Sequence, residues 1–222
     1  FDNQFEKKIL PIHVNSGFTR YNDNETEICI YRKEEWLKVL IHECFHAFNM
    51  DFHEGNINFK NLFKDIFFVH SDFLIFECFV EFWARIINCG IFTYLLKKNI
   101  SYNEFNILFN LNLNMERIFS LIQCNKILNI FDLNYNYIID KNKEVLCKKM
   151  YKEDTNSFCY YIITSILMNS FDKTLQWFNL HNKKIFYFNK SEREVIIFSY
   201  YIKQLAKNNN MINVMNELQK EN

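Results

Sequence analysis

The chain has 222 residues, and its 26 basic and 26 acidic side chains cancel to a formal charge of zero. A neutral composition offers no electrostatic footprint for nucleic acid, and three glycines (Gly17, Gly55 and Gly90) cannot build a phosphate-cradling loop. Nucleic-acid partners and nucleotide-dependent chemistry are therefore excluded from the expected functions.

In chain order, the segments Lys8 to Val14 and Glu25 to Arg32 read as strands joined through Asn15-Ser16-Gly17. The second alternates polar and apolar residues and is rich in β-branched types, as a half-buried strand should be. A helix over Lys33 to Phe48 follows at once, with Glu34 and Glu35 at the positive end of its dipole and apolar residues around much of its circumference. Inside it stands His42-Glu43-Cys44-Phe45-His46, an HExxH signature. The i, i+4 spacing puts both imidazoles on one helix face, where two nitrogens can grip one Zn²⁺ with Glu43 beside the metal as a base. In so apolar a helix these groups need a partner, because an isolated buried polar group costs a few kcal/mol.

A catalytic zinc site needs a third protein ligand. After the helix comes a polar loop, Asp51 to Asn61, carrying His53, which would give a site resembling the metzincin pattern HExxHxxGxxH. Asn49 stands in place of its glycine, and Phe52 holds the expected ligand position, one residue before the histidine. Asparagine can adopt the left-handed conformation that glycine supplies. The second candidate lies on the helix predicted over Ser71 to Lys97. Its stretch Ser71 to Asn88 is apolar nearly all round except for Glu77, Glu81 and Arg85, which sit four residues apart on one stripe. Glu77 can supply the third ligand, Glu81 can accept the outer N–H of a ligand histidine and fix its tautomer, and Arg85 can neutralise Glu81.

Further on, Tyr102 to Ile130 reads as helix, and Asp132 to Asn142, dense in Asn, Asp and Tyr, as a hinge. Beyond it come a helix near Asn156 to Ser170 capped by Asp154 or Thr155, a strand pair at Leu175 to Phe178 and Lys184 to Phe188, and helices at Ser191 to Ala206 and Met211 to Lys220. The expected class is α+β, mostly α: a small N-terminal sheet packed on the HExxH helix, followed by a helical C-terminal lobe. The boundary falls between residues 1–131 and 132–222, with the second lobe closing the cleft of the first.

HECFH followed by Glu77-x-x-x-Glu81 on a second helix resembles the gluzincin metallopeptidases of the thermolysin type, whose pattern is HExxH followed by ExxxD, with Glu81 in place of the aspartate. Glu77 to Ala84 looks like the ExxAxxFA run of the bacterial regulatory peptidases of this clan, with Val80 and Trp83 as variants. The lead-in IYRKEEWLKVLIHE and the Phe-Trp-Ala-Arg ending also look like uncharacterised HExxH proteins of large DNA viruses. The likeness covers about residues 14 to 90. It implies a zincin-like fold and a zinc peptidase acting on a peptide or protein substrate, which pairs its backbone with the strand before the metal helix. His42, His46 and Glu77 would be the metal ligands. Glu43 would be the base that activates the zinc-bound water and returns its proton to the leaving amine. Gluzincins usually add a Tyr, His or Arg from the C-terminal half as a second oxyanion donor. Tyr160 and Tyr161 are the candidates, with His181, Tyr200 and Tyr201 as rivals.

The competing interpretation is a non-catalytic helical interaction domain, or an inactive zincin homologue with a structural or vestigial metal site. In the former, His42 and His46 are hydrogen-bonded structural histidines and Glu77, Glu81 and Arg85 an ion-pair ladder. It does not explain why a glutamate directly follows the first histidine. His13 and His70 read as surface or loop residues, although His70 could line the cleft. Seven scattered cysteines without a CxxC read as reduced core thiols, and with no signal-peptide pattern or membrane-length apolar run the expected location is the cytoplasm, of the host if the protein is viral. No membrane partner is expected. The chain does not begin with methionine, which is read as trimming, so a targeting segment can have been lost.

Overall fold

The computed structural model describes residues 7–21, 25–53, 57–97 and 99–220. It is mostly helical with one two-stranded antiparallel sheet, the mostly-α α+β class expected from the sequence. The elements are α1 (Pro11–Val14), β1 (Gly17–Tyr21), β2 (Thr26–Ile30), α2 (Trp36–Ala47), α3 (Phe59–Phe63), α4 (Ile75–Leu95), α5 (Tyr102–Ile130), α6 (Tyr135–Ile139) and α7 (Glu144–Met150). A π-helical segment (Phe158–Ile163) then runs into α8 (Thr164–Asn169), followed by α9 (Phe171–His181), α10 (Glu192–Ala206) and α11 (Asn209–Lys220). A cluster of buried apolar side chains extends from Ile9 to Met215 and is dominated by phenylalanine. Among the described residues no helix is long and apolar enough to cross a membrane, and all seven cysteines are unpaired.

The helix pair α2 and α4 forms the centre of the N-terminal half. Helix α4 buries Ile75, Phe79, Phe82 and Ala84 completely and carries Glu77, Glu81 and Arg85 inside with them. It begins at Ile75 rather than at Ser71, because Phe73 takes a left-handed φ of 51° that a helix cannot pass through. Helix α2 ends in a Schellman turn: Met50 N–H donates to the Phe45 carbonyl at 2.9 Å and Asn49 N–H to the His46 carbonyl at 2.8 Å. Asn49 supplies the left-handed residue, with φ of 52°. The turn reverses the chain and delivers Asp51, fully buried, beneath the end of the helix that carries His46.

Three sequence expectations are corrected. Lys8 to Val14 is not a strand: Pro11 has no N–H to give a sheet and opens α1, and only Ile9 makes a bridge, to Glu153. The partner of β2 is β1, in a register that pairs Gly17 with Ile30 and Tyr21 with Thr26, so Gly17 opens a strand instead of closing a turn. The Leu175 to Phe178 strand is part of α9, where Thr174, Trp177 and Phe178 turn inward at helical spacing; a four-residue apolar run carries no periodicity of its own. Of its predicted partner, Lys184 to Phe188, only a bridge between Lys184 and Tyr187 forms.

Tyr31 N–H donates to the Ser16 carbonyl at 3.0 Å, which makes 16/31 a hydrogen-bonded pair. Alternation then makes 18/29 and 20/27 the next such pairs, so Gly17 and Thr19 direct their backbone N–H and C=O away from β2. Gly17 lies against α2: a Cβ there would stand 2.8 Å from both the Cys29 carbonyl oxygen and Val39 Cγ1. Gly17→Ala is therefore expected to lower stability by about 1–3 kcal/mol, from the forced separation of β1 and α2. A thermal melt of the purified variant with no fall in midpoint would contradict this close packing.

Candidate metal centre

Residues Lys38, His42 and His46 occupy successive turns of α2, and Glu77, Glu81 and Arg85 successive turns of α4. The helices run antiparallel, so the two ladders mesh. His46 faces Glu77, His42 faces both Glu77 and Glu81, and Lys38 faces Glu81. The His42 and His46 Nε2 atoms are 3.2 Å apart, and Glu77 Oε2 lies 3.3 Å from the first and 3.4 Å from the second. These three residues form a buried cluster that could hold a metal ion.

The separations are those of tetrahedral coordination, because ligands at 2.0–2.1 Å from a common ion sit about 3.3–3.4 Å from one another. Glu77 Oε2 is buried and has no hydrogen-bond partner of acceptable geometry, whereas Oε1 accepts from Asn156 Nδ2 at 3.2 Å. One lone pair is therefore held out of water beside two imidazole nitrogens with nothing protonic dedicated to it. The charge balance agrees. Glu43, Asp51, Glu77 and Glu81 are all buried around this point, against buried Arg85 and the mostly covered Lys38. The remaining negative charge must be met by protons on the imidazoles or by a divalent cation.

The outer nitrogen of each imidazole is also held. His42 Nδ1 lies 3.1 Å from Glu81 Oε2, and Glu81 Oε1 accepts from Arg85 Nε at 2.9 Å and from Lys38 Nζ at 3.0 Å. Arg85 continues to Glu116 on α5 at 2.5 Å. His46 Nδ1 is bound by Asp51 Oδ2, and the other oxygen of Asp51 lies 2.5 Å from His53 Nδ1. Each carboxylate can accept the outer N–H of its ring, which turns both Nε2 atoms toward Glu77 Oε2, where a cation or a proton can be shared.

Burial opposes charge on these groups, and the contacts overcome it. For Glu81, desolvation pushes the carboxyl up, but Lys38 and Arg85 hold it well below the usual carboxylate range. Burial raises Glu77 too, and the two imidazoles beside it bring it down to about 2. His46 is pulled down by burial, yet Asp51 and then Glu77 raise it to about 10. A carboxylate at this point is thus tied to a positive partner, and the site competes for a cation with the proton of His46.

Glu43 is buried on the same helix, with Oε2 accepting from Thr19 Oγ1 of β1 at 2.7 Å. A cavity of about 60 Å³ lies between β1, α2 and the π-helical segment, lined by Gly17, His42, Glu43, Glu81, Tyr160 and Tyr161. The Tyr160 ring stands 5.9 Å from the His42 ring, and burial pushes its phenol well above the ordinary tyrosine range, so it stays a hydrogen-bond donor. Tyr161 faces the outer part of the cluster, near Glu81 and Lys38. The segment that presents both tyrosines is π-helical, a widening found often at functional sites.

His53, the other candidate ligand, is one layer out, on Asp51, while Phe52 is in the core against Phe188. The rival donors are engaged elsewhere: His181 with Glu194 and Trp177, Tyr201 with Thr174, and Tyr200 with Lys203. His13 accepts from the Leu10 N–H, and His70 lines a separate cleft of about 560 Å³ that shares only Asn156 with the residues described around the metal cluster. Sequence reading did not single out Lys38, Asp51, Thr19 or Asn156. Lys38 was legible, standing four residues before His42 on the same stripe. Asp51 was not, because its approach depends on the Schellman turn, and neither were Thr19 and Asn156, which arrive from other elements.

Neither a protein-family model, a curated protein nor a solved structure matches the chain.

Asp51→Asn is expected to weaken binding of a divalent cation about 10- to 100-fold, since the His46 ring loses the charged acceptor that orients it. Isothermal titration of the metal-stripped protein checks this. Unchanged affinity would mean that Asp51 does not orient a ligand.

Proposed function

We propose that the protein is a zinc-dependent metallopeptidase resembling the gluzincins, with His42, His46 and Glu77 holding Zn²⁺ and Glu43 acting as general base. The observation that carries this reading is the convergence of three donor atoms 3.2–3.4 Å apart, one of them a buried carboxylate oxygen without a hydrogen bond, with buried Glu43 directly after His42 in the same turn of α2. Two nitrogens and one oxygen are the donor set of a catalytic zinc site, which leaves a position for water. A structural site would more often be closed by four protein ligands.

Zinc, when bound, supplies Lewis acidity that polarises a carbonyl and acidifies water. The protein's own groups do the rest. Glu43 takes the proton of the attacking water and returns it to the leaving amine. Thr19, donating to Glu43 Oε2, fixes one carboxylate oxygen and leaves Oε1 for that proton. Tyr160, neutral at physiological pH, donates to the oxyanion that develops on the former carbonyl. The substrate is a peptide in extended conformation: the outward N–H and C=O of Gly17 and Thr19 offer its backbone a strand to pair with beside Glu43.

Zinc content after exhaustive dialysis tests the reading. One equivalent is expected for the wild type and for His53→Ala, and none for Glu77→Ala. Glu43→Gln is expected to keep its zinc while cleavage of a peptide library falls about 1,000-fold or more. A wild type without metal, or a Glu43→Gln variant cleaving at the wild-type rate, would rule the proposal out. Zinc retained with no cleavage of any peptide by the wild type would instead favour a structural metal site.

A further inference from the structure

Helix α5 is 29 residues long and presents a second apolar face that nothing in the described chain covers. Ile107, Leu111, Met115, Ile118, Phe119 and Ile122 are each 48–70% exposed. At 100° per residue they fall on one stripe, which climbs about 22 Å along the helix without a charged side chain in it. Single exposed apolar residues are ordinary, but this row amounts to about 600 Å² of contiguous apolar surface, the size that marks an interaction site. Phe119 extends it towards Trp36 and Phe92, both about half exposed, on the rim of a groove of about 550 Å³ that is otherwise lined mainly by charged and polar side chains, Glu35, Arg85 and Glu116 among them. Together they approach the roughly 800 Å² per partner of a stable association.

The order of residues along the stripe selects the partner. The row is close to symmetric about Met115: Ile107 stands eight residues before it and Ile122 seven after, Leu111 four before and Ile118 three after. Charges stand on the same stripe beyond its two ends, Glu104 eleven residues before Met115 and Lys126 eleven after. A helix with this arrangement complements itself when turned end for end. We propose that α5 is the seam of a homodimer in which a second copy packs antiparallel across it about a two-fold axis near Met115. Ile107 of each copy then meets Ile122 of the other, and Leu111 meets Ile118. Glu104, which also caps its own helix and binds Lys97, faces the partner's Lys126 at each end. The spacings of 4, 3 and 4 residues from Leu111 to Ile122 are those of a coiled-coil seam, which suits two long helices packed at a shallow angle. The opposite face of α5, with Leu113, Leu121, Cys124 and Leu128, is buried within the same chain, so the stripe is the face left for a second copy.

Sedimentation equilibrium of the whole chain tests this. A species of twice 27.2 kDa is expected at about 100 µM. Leu111→Lys and Ile118→Glu should each weaken association tenfold or more while leaving the far-ultraviolet circular dichroism unchanged, because both side chains are exposed. Mixing the two variants should restore dimers, since in the antiparallel register the lysine of one copy faces the glutamate of the other and the second pair remains Leu against Ile. A monomer at about 100 µM, a dimer indifferent to both substitutions, or a mixture that fails to associate would each overturn the proposal. Because the readout is mass, none of these outcomes bears on whether the metal cluster is catalytic.

Discussion

The arrangement of this protein follows from one electrostatic constraint: Glu77 and Glu81 are carried on a helix whose surroundings are otherwise apolar. A carboxylate there is tolerable only beside positive charge or hydrogen-bond donors, since its desolvation costs several kcal/mol. Helix α2 meets the requirement with Lys38, His42 and His46 at the same four-residue spacing, and antiparallel packing brings the two ladders into register. Arg85 completes the neutralisation of Glu81 and ties it to α5 through Glu116. Glu77 is the member left incomplete, with one oxygen bound by Asn156 and the other by no hydrogen bond.

Around Glu77, every neighbouring group is held in place by a second residue. Glu81 and Asp51 fix the outer nitrogens of His42 and His46, Thr19 holds Glu43, and Asn156 holds Glu77. These supports come from β1, the turn after α2, α4 and the loop before the π-helical segment, so the cluster depends on the whole tertiary arrangement. Groups held in this way would need little rearrangement to receive a cation at the proposed site.

The places where sequence and structure part company each have a local cause. Lys8 to Val14 has strand-like composition, but Pro11 removes a ladder donor and the chain coils into α1. Leu175 to Phe178 is too short a run to show a period, and its neighbours decide in favour of helix. Helices α2 and α4 were legible because each repeats its polar residues over several turns inside an apolar background. The second layer was only half legible: Glu81 and Arg85 lie on the Glu77 stripe, whereas Asp51 reaches His46 through a left-handed Asn49.

The sequence by itself determined the mostly helical class, the helix bearing His42, Glu43 and His46, and the acidic stripe of α4, because periodicity and spacing are local properties that survive in one dimension. Only the tertiary structure decided that Glu77 rather than His53 faces the paired imidazoles, that β1 brings Thr19 to Glu43, and that Tyr160 rather than His181 stands near His42. Those choices turn on the antiparallel packing of α2 against α4 and on where the chain reverses. Contacts between residues far apart in sequence are fixed by that packing and leave no periodic trace along the chain.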